Sequence, residues 1–150
     1  MEFTKLHGLG NDYIYMDCTR APVKNAPALS RLLAAPHFGV GSDGLILAYP
    51  SGKADFRMEM YNADGSRGAM CGNGIRCVGK YLYDSGYVDS DMVTVETMSG
   101  VKNLRLYIRG GKVKSVMVDM GRAELAPERV PVLLDGQRVL SRPVEIEGKP

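Results

Sequence analysis

In the stretch DFRMEMYN, Asp55 to Asn62, apolar and polar side chains alternate: Phe56, Met58 and Met60 fall on one face, Arg57 and Glu59 on the other. A period of two predicts a strand with one face on a core. After Cys71 the spacing changes. Ile75, Val78 and Leu82 stand at i, i+3 and i+7, which predicts a helix beginning at Ile75 and stopping near Gly86, with Lys80 well placed late in it. FTKLH (Phe3 to His7) and YIYMDC flank GLGND and predict an opening β-hairpin. ALSRLLAA, Ala28 to Ala35, reads as a short helix closed by Pro36, and LILAY, Leu45 to Tyr49, as a strand. MVTVETM is strand-like, and LRLYI and VKSVMVDM form a hairpin around Gly110 and Gly111.

Beyond Gly121 the texture shifts to RAELAPERVPV, with Pro127 and Pro131 close together, as in a crossover. VPVLLDGQRVL and PVEIEG read as further strand pieces. The composite is an α/β fold of the α+β type, in which β-hairpins and a mixed sheet wrap a central helix. Residues 1–119 form this domain, and residues 120–150 a crossover and the start of a second domain that is missing.

Composition narrows the function classes. The 150 residues carry a net charge of only +2, with Lys and Arg scattered singly, which argues against nucleic acid or an anionic membrane as partner. No apolar run approaches a transmembrane length, and the start MEFTKLHGLGND has no secretory pattern, so a cytoplasmic location is expected. Cys18, Cys71 and Cys77 have no framework spacing and read as free thiols. Their spacing, with His7 and His37 far apart, offers no zinc site, so no metal is expected. GLGNDY and GNGIRC each lack the third glycine of a dinucleotide fingerprint, and GSDG has no lysine for a phosphate loop. No nucleotide cofactor is expected.

Cys71 is placed unusually, between glycine-rich turns and the helix. Glycines before a helix expose backbone N–H groups, and the helix dipole adds positive charge, so a carboxylate can dock there and a thiol is favoured as thiolate. Equally, a cysteine in a turn can serve as a small hydrophobe. On the residues alone both readings stand, and Asn11 and Asn62 read as ordinary turn residues. Cys77 lies about 120° around the helix from Cys71 and reads as core, as does Cys18 at a strand end.

FTKLHGLGNDYIYMD and YNADGSRGAMCGNGIRCVGKYL, in this order and separation, resemble the diaminopimelate epimerase family. The resemblance runs from Met1 to about Gly121. It implies an isomerase that needs neither pyridoxal phosphate nor any other cofactor. Such an enzyme interconverts LL- and meso-diaminopimelate for lysine and peptidoglycan precursors. Two cysteines face each other across the α-carbon, one taking a proton as thiolate while the other returns one as thiol. By resemblance Cys71 is one of them, Gly72 and Asn73 bind the substrate through the helix start, and Asn11 and Asn62 bind its polar groups.

Two departures stand out. Gly44, in SDGLI, occupies a position where the family often has glutamine. The second, similar half that supplies the other cysteine is absent, so these residues alone are expected to be inactive unless two copies pair as a homodimer. The rival readings are a proline-racemase-like or phenazine-biosynthesis-like isomerase of the same fold, and a non-catalytic half-domain.

Overall fold

Leu9 and Gly10 both take positive φ, 55° and 85°, and so close a two-residue turn between the first two strands. A computed structural model of the chain describes residues 1–130, 132–143, 145 and 147. Strands β1 (Thr4–Gly8) and β2 (Asn11–Asp17) form the opening hairpin, with Gly8 opposite Asn11. Helix α1 (Ala26–Ala34) follows, then β3 (Gly44–Pro50), β4 (Phe56–Asn62) and the two-residue β5 (Arg67–Gly68). Helix α2 (Gly72–Asp84) precedes β6 (Met92–Thr97), β7 (Gly100–Arg109) and β8 (Lys112–Val118).

The strands make one mixed sheet in the order β1-β2-β3-β4-β6-β7-β8, with β5 paired to β4 off this path. Two neighbouring pairs are parallel, β2 with β3 and β4 with β6; the other pairs are antiparallel. Parallel neighbours need a crossover, and α1 and α2 lie in those two connections. The sheet curls around α2, which packs against β1 and β2 at one end and β7 and β8 at the other.

Alternation along the strands divides the core in two. Tyr13, Tyr15, Ile46, Met58 and Met60 turn towards α2 and meet Ile75, Val78 and Leu82, together with Val93, Leu104 and Val113 from the later strands. Ile14, Met16, Leu45, Leu47 and Tyr61 face the other way, under Leu29 and Leu33 of α1. Burying a side chain such as Ile75 or Leu82 completely is worth about 1.5–3 kcal/mol, so the α2 stripe supplies much of the domain's hydrophobic stabilisation. Cys18 and Cys77 are core residues, as expected, whereas His7 is exposed on the edge strand.

Both helices start earlier than the apolar spacing predicts. Asn25 caps α1 by accepting the Ala28 N–H at 3.2 Å, and Pro27 sits in the first turn, where its missing donor is not needed. α2 starts at Gly72 rather than Ile75, with Cys71 as its N-cap. Gly72, Asn73 and Gly74 have no apolar side chain, so the first turn leaves no trace in the hydrophobic period. The C-terminus is where Gly86 predicts it: Gly86 has φ 77°, its N–H bonds Tyr83 O at 3.0 Å, and the Tyr87 N–H bonds Leu82 O at 2.9 Å. This is a Schellman closure.

Met1–Met120 and Gly121–Pro150 form two compact units. The described residues of the second contain neither helix nor strand, so the strand expected in VPVLLDGQRVL is not formed. Val132, Leu133 and Leu140 are exposed there, and the Val130 N–H turns back to Ala126 O at 3.1 Å. Among the described residues no strand pairs with this apolar run, and an unpaired run has nothing to hold it extended. The PVEIEG piece falls partly on Val144, Ile146 and Gly148, outside the described residues. No helix among the described residues is long and apolar enough to cross a membrane.

Candidate active site

Three segments distant in sequence converge on the start of α2. Cys71 has extended backbone angles (φ −129°, ψ 118°), and its Sγ accepts the Gly74 N–H at 3.3 Å. A cap normally uses a hydroxyl or carboxamide oxygen; here a half-buried sulfur fills that role. Gly72 and Asn73 follow in the first turn, where N–H groups have no intrahelical carbonyl one turn back. The Asn73 side-chain oxygen accepts a short hydrogen bond from Arg76 on the next turn.

From β2, Asn11 reaches the same thiol: Cys71 Sγ donates to Asn11 Oδ1 at 3.2 Å. The other end of that carboxamide is fixed from the loop before β3, where Asn11 Nδ2 donates to Asp43 Oδ2 at 2.6 Å. Asp43 also accepts the Asp12 N–H at 3.0 Å, while its own N–H bonds Asp12 O at 2.8 Å. Because Cys71 and Asn11 are 60 residues apart, their meeting depends on the sheet curling back over α2.

Asn62, at the end of β4, is held differently. Its Nδ2 donates to Ser66 Oγ at 2.9 Å, inside its own turn. The fully buried Ser30 hydroxyl of α1 reaches Asn62 O at 2.8 Å and Tyr61 O at 3.2 Å, bracing that strand end. The structure therefore joins Cys71, Asn11 and the Gly72–Asn73 turn, while Asn62 is committed to the turn that follows it.

Across the β3–β4 pair Asn62 stands opposite Gly44. A Cβ on Gly44 would lie 2.1 Å from Tyr61 O, closer than any real contact, and 3.0 Å from Tyr13 Cε1. This backbone excludes a side chain at position 44, the glutamine of the resembled family included.

Two residues that the motif reading passed over complete the cluster. Asp43 belongs to GSDG, considered only as a phosphate loop. Tyr13 opens the YIYMDC strand, and a period of two along NDYIY places Asn11, Tyr13 and Tyr15 on one strand face. Burial, and then the neighbouring charge of Cys71, pushes the Tyr13 phenol up to about 12. The Tyr15 hydroxyl donates to Gly74 O at 3.3 Å, and burial pushes its ionisation far up. Burial also raises the Cys18 and Cys77 thiols, which keeps both protonated. Among the described residues no group of three or more His, Cys, Asp or Glu is arranged to hold a metal.

A curled mixed sheet around one helix defines a structural class. Methylitaconate-delta-isomerase shares it, with TM-score 0.62 and 18% identity over 75% of this chain and 35% of that one. So does a probable proline racemase from Agrobacterium radiobacter K84, with TM-score 0.59 and 19% identity over 77% of this chain and 40% of that one. At that identity the likeness establishes the fold alone. The sequence relation is closer. The profile of the diaminopimelate epimerase family matches residues 3–126, and the chain belongs to that family. A diaminopimelate epimerase of Acetivibrio thermocellus is 51% identical over 99% of this chain and 53% of that protein. One of Methanococcus maripaludis is 49% identical over 96% of this chain and 52% of its own length. The chain thus spans about half the length of the relatives it matches.

Proposed function

We propose that this chain supplies one half of a diaminopimelate epimerase active site, with Cys71 as one of two acid/base thiols. The observation that supports it is the double engagement of Cys71 Sγ, with Asn11 Oδ1 at 3.2 Å and the Gly74 N–H at 3.3 Å. As thiol it has an acceptor, and as thiolate it keeps a donor.

In the reaction the Cys71 thiolate takes the proton from the α-carbon, forming S–H as C–H breaks. The electron pair passes to the α-carbon and its carboxylate. The Gly72 and Asn73 N–H groups and the positive end of α2 hold that carboxylate and stabilise the charge it gains. Asn11, beside the thiol, holds a remaining polar group of LL- or meso-diaminopimelate, and Asn62 holds another once its side chain turns away from Ser66. A second thiol then delivers a proton to the opposite face, inverting the centre without pyridoxal phosphate. General acid–base help of this kind is worth about 10²–10⁴ in rate per positioned group.

Cys18 and Cys77 are both buried and are poor candidates for the second thiol. The relatives are about twice as long, and we assign that thiol to a segment corresponding to their second half, with residues 120–150 as the crossover towards it. The assay is deuterium incorporation from solvent at the α-carbon of LL-diaminopimelate. The chain alone is expected to give none, a mixture with the second half of a relative to give turnover, and the same mixture carrying Cys71→Ala to give none. Turnover that appears only with dimerisation would indicate two Cys71 thiols facing each other. Turnover by the monomer, or by the Cys71→Ala mixture, would overturn the assignment.

A further inference from the structure

A group that gains and loses a proton in each cycle needs a partner in both states. For Cys71 the thiol state is provided for, since Sγ–H points to Asn11 Oδ1. The thiolate is less well served by the same neighbour. Asp43 fixes the Asn11 amide nitrogen on the far side, so the carboxamide presents only an oxygen to the sulfur. The Gly74 N–H is one donor to the thiolate, and a large, diffuse sulfur anion can accept more than one.

Tyr13 lies two residues along β2 from Asn11, on the face that looks at α2, and is only 4% exposed. Tyr13 and Cys71 pack in one cluster against α2, and the phenol is near enough to Asn11 and Cys71 for both to act on its ionisation. The ring has its place because position 44 is empty of side chain: a Cβ there would stand 3.0 Å from Tyr13 Cε1. The ring is held between Gly44 and the core, and the hydroxyl is the only polar group it brings to the site. With ionisation at about 12, owing to burial and then to the Cys71 charge, the phenol keeps its proton through neutral pH and has it to donate.

We infer that Tyr13 is a positioning residue for Cys71, donating its hydroxyl proton to the sulfur in the thiolate state while Asn11 receives the S–H in the thiol state. The inference rests on the acid/base role assigned to Cys71 above. Asn11 and Tyr13 then divide the work between them, one for each protonation state.

The test is Tyr13→Phe, which keeps the ring and removes the donor. The rate of Cys71 carbamidomethylation by iodoacetamide is followed against pH in both proteins. The profile is expected to move to higher pH, with the rate at neutral pH falling about ten- to a hundredfold and the plateau unchanged, the size expected for one hydrogen bond to an anion. An unchanged melting temperature shows that packing is preserved, and superimposed profiles would overturn the inference. A second measurement is independent of that variant's folding: carbon NMR of ring-labelled tyrosine, comparing the parent with Cys71→Ala. The Tyr13 phenol should titrate at lower pH once the sulfur is gone, and an unmoved titration would also overturn it. Failure here is distinct from failure of the epimerase reading. A shifted profile without α-carbon exchange in the two-half mixture removes only the enzyme assignment, and exchange with superimposed profiles removes only the Tyr13 role.

Discussion

Asp43 decides which way round Asn11 sits. A carboxylate can only accept, so the 2.6 Å contact places the Asn11 NH₂ group on Asp43 and leaves its oxygen, Oδ1, 3.2 Å from Cys71 Sγ. The same carboxylate takes the Asp12 N–H, tying the start of β2 to the loop before β3. Asp43→Ala removes both contacts. Because the position is exposed, the expected loss is only about 1 kcal/mol, read as a lower urea midpoint with unchanged slope. An unchanged midpoint would mean that water replaces the carboxylate without cost.

The three cysteines should react at different rates. Cys71 is half-buried at the helix start, whereas Cys18 and Cys77 are 4% and 7% exposed and held as thiols by burial. Brief iodoacetamide treatment near neutral pH, followed by peptide mapping, should label Cys71 first. Equal labelling, or preference for Cys77, would contradict the site.

Position 44 offers a test of the backbone itself. Gly44→Gln introduces a Cβ that would lie 2.1 Å from Tyr61 O, a main-chain atom that cannot swing aside, and it crowds the Tyr13 ring. The expected cost is about 3 kcal/mol, seen as a large drop in melting temperature. A variant as stable as the parent would show that β3 and β4 can separate freely at this end.

Acid should weaken the fold, partly through Asp55. Its carboxylate accepts the Thr94 N–H and hydroxyl, each at 2.7 Å, which holds the carboxyl below the ordinary aspartate range. A carboxyl depressed in the folded state stabilises the fold above its unfolded-chain value, and that contribution is lost as pH falls through the folded one. Stability should therefore decline as the medium becomes more acidic than about pH 4. Asp55→Asn should flatten that decline, measured as urea midpoints across an acid series. Parallel curves would assign the acid sensitivity to other carboxyls, such as Asp84 beside Lys80.

Much of the sheet is legible from alternation, since β4, β6, β7 and β8 show residues of opposite character at successive positions, while β2 reads as a short apolar run. The start of α2 is not, because glycine and asparagine carry no hydrophobic period, and only the cap geometry reveals it. Cys71 is conspicuous as a thiol among glycines. Its partner Asn11 lies 60 residues away, and only the resemblance to a family, or the fold itself, brings the two together. Tyr13 and Asp43 stayed hidden for different reasons. A buried tyrosine looks like core until its hydroxyl is seen to face something, and an aspartate in a glycine turn looks like a turn former. The apolar residues after Val130 mislead because a strand is made by its neighbours, and the described residues there provide none.

One feature of the architecture also bears on time. Helix α2 is bedded against both β1 and β8, the first and last strands of its unit, so nearly the whole unit must be gathered before the helix is enclosed. Contacts of such long sequence separation slow folding, because the entropy of closing the loops is spent before the contacts reward it. The first turn of α2 can form early from local interactions, but the carboxamide that receives the Cys71 proton arrives only when the opening hairpin docks. On a nascent chain the thiol and Asn11 therefore meet only late in folding, and α2 is fully enclosed only once β8 is in place.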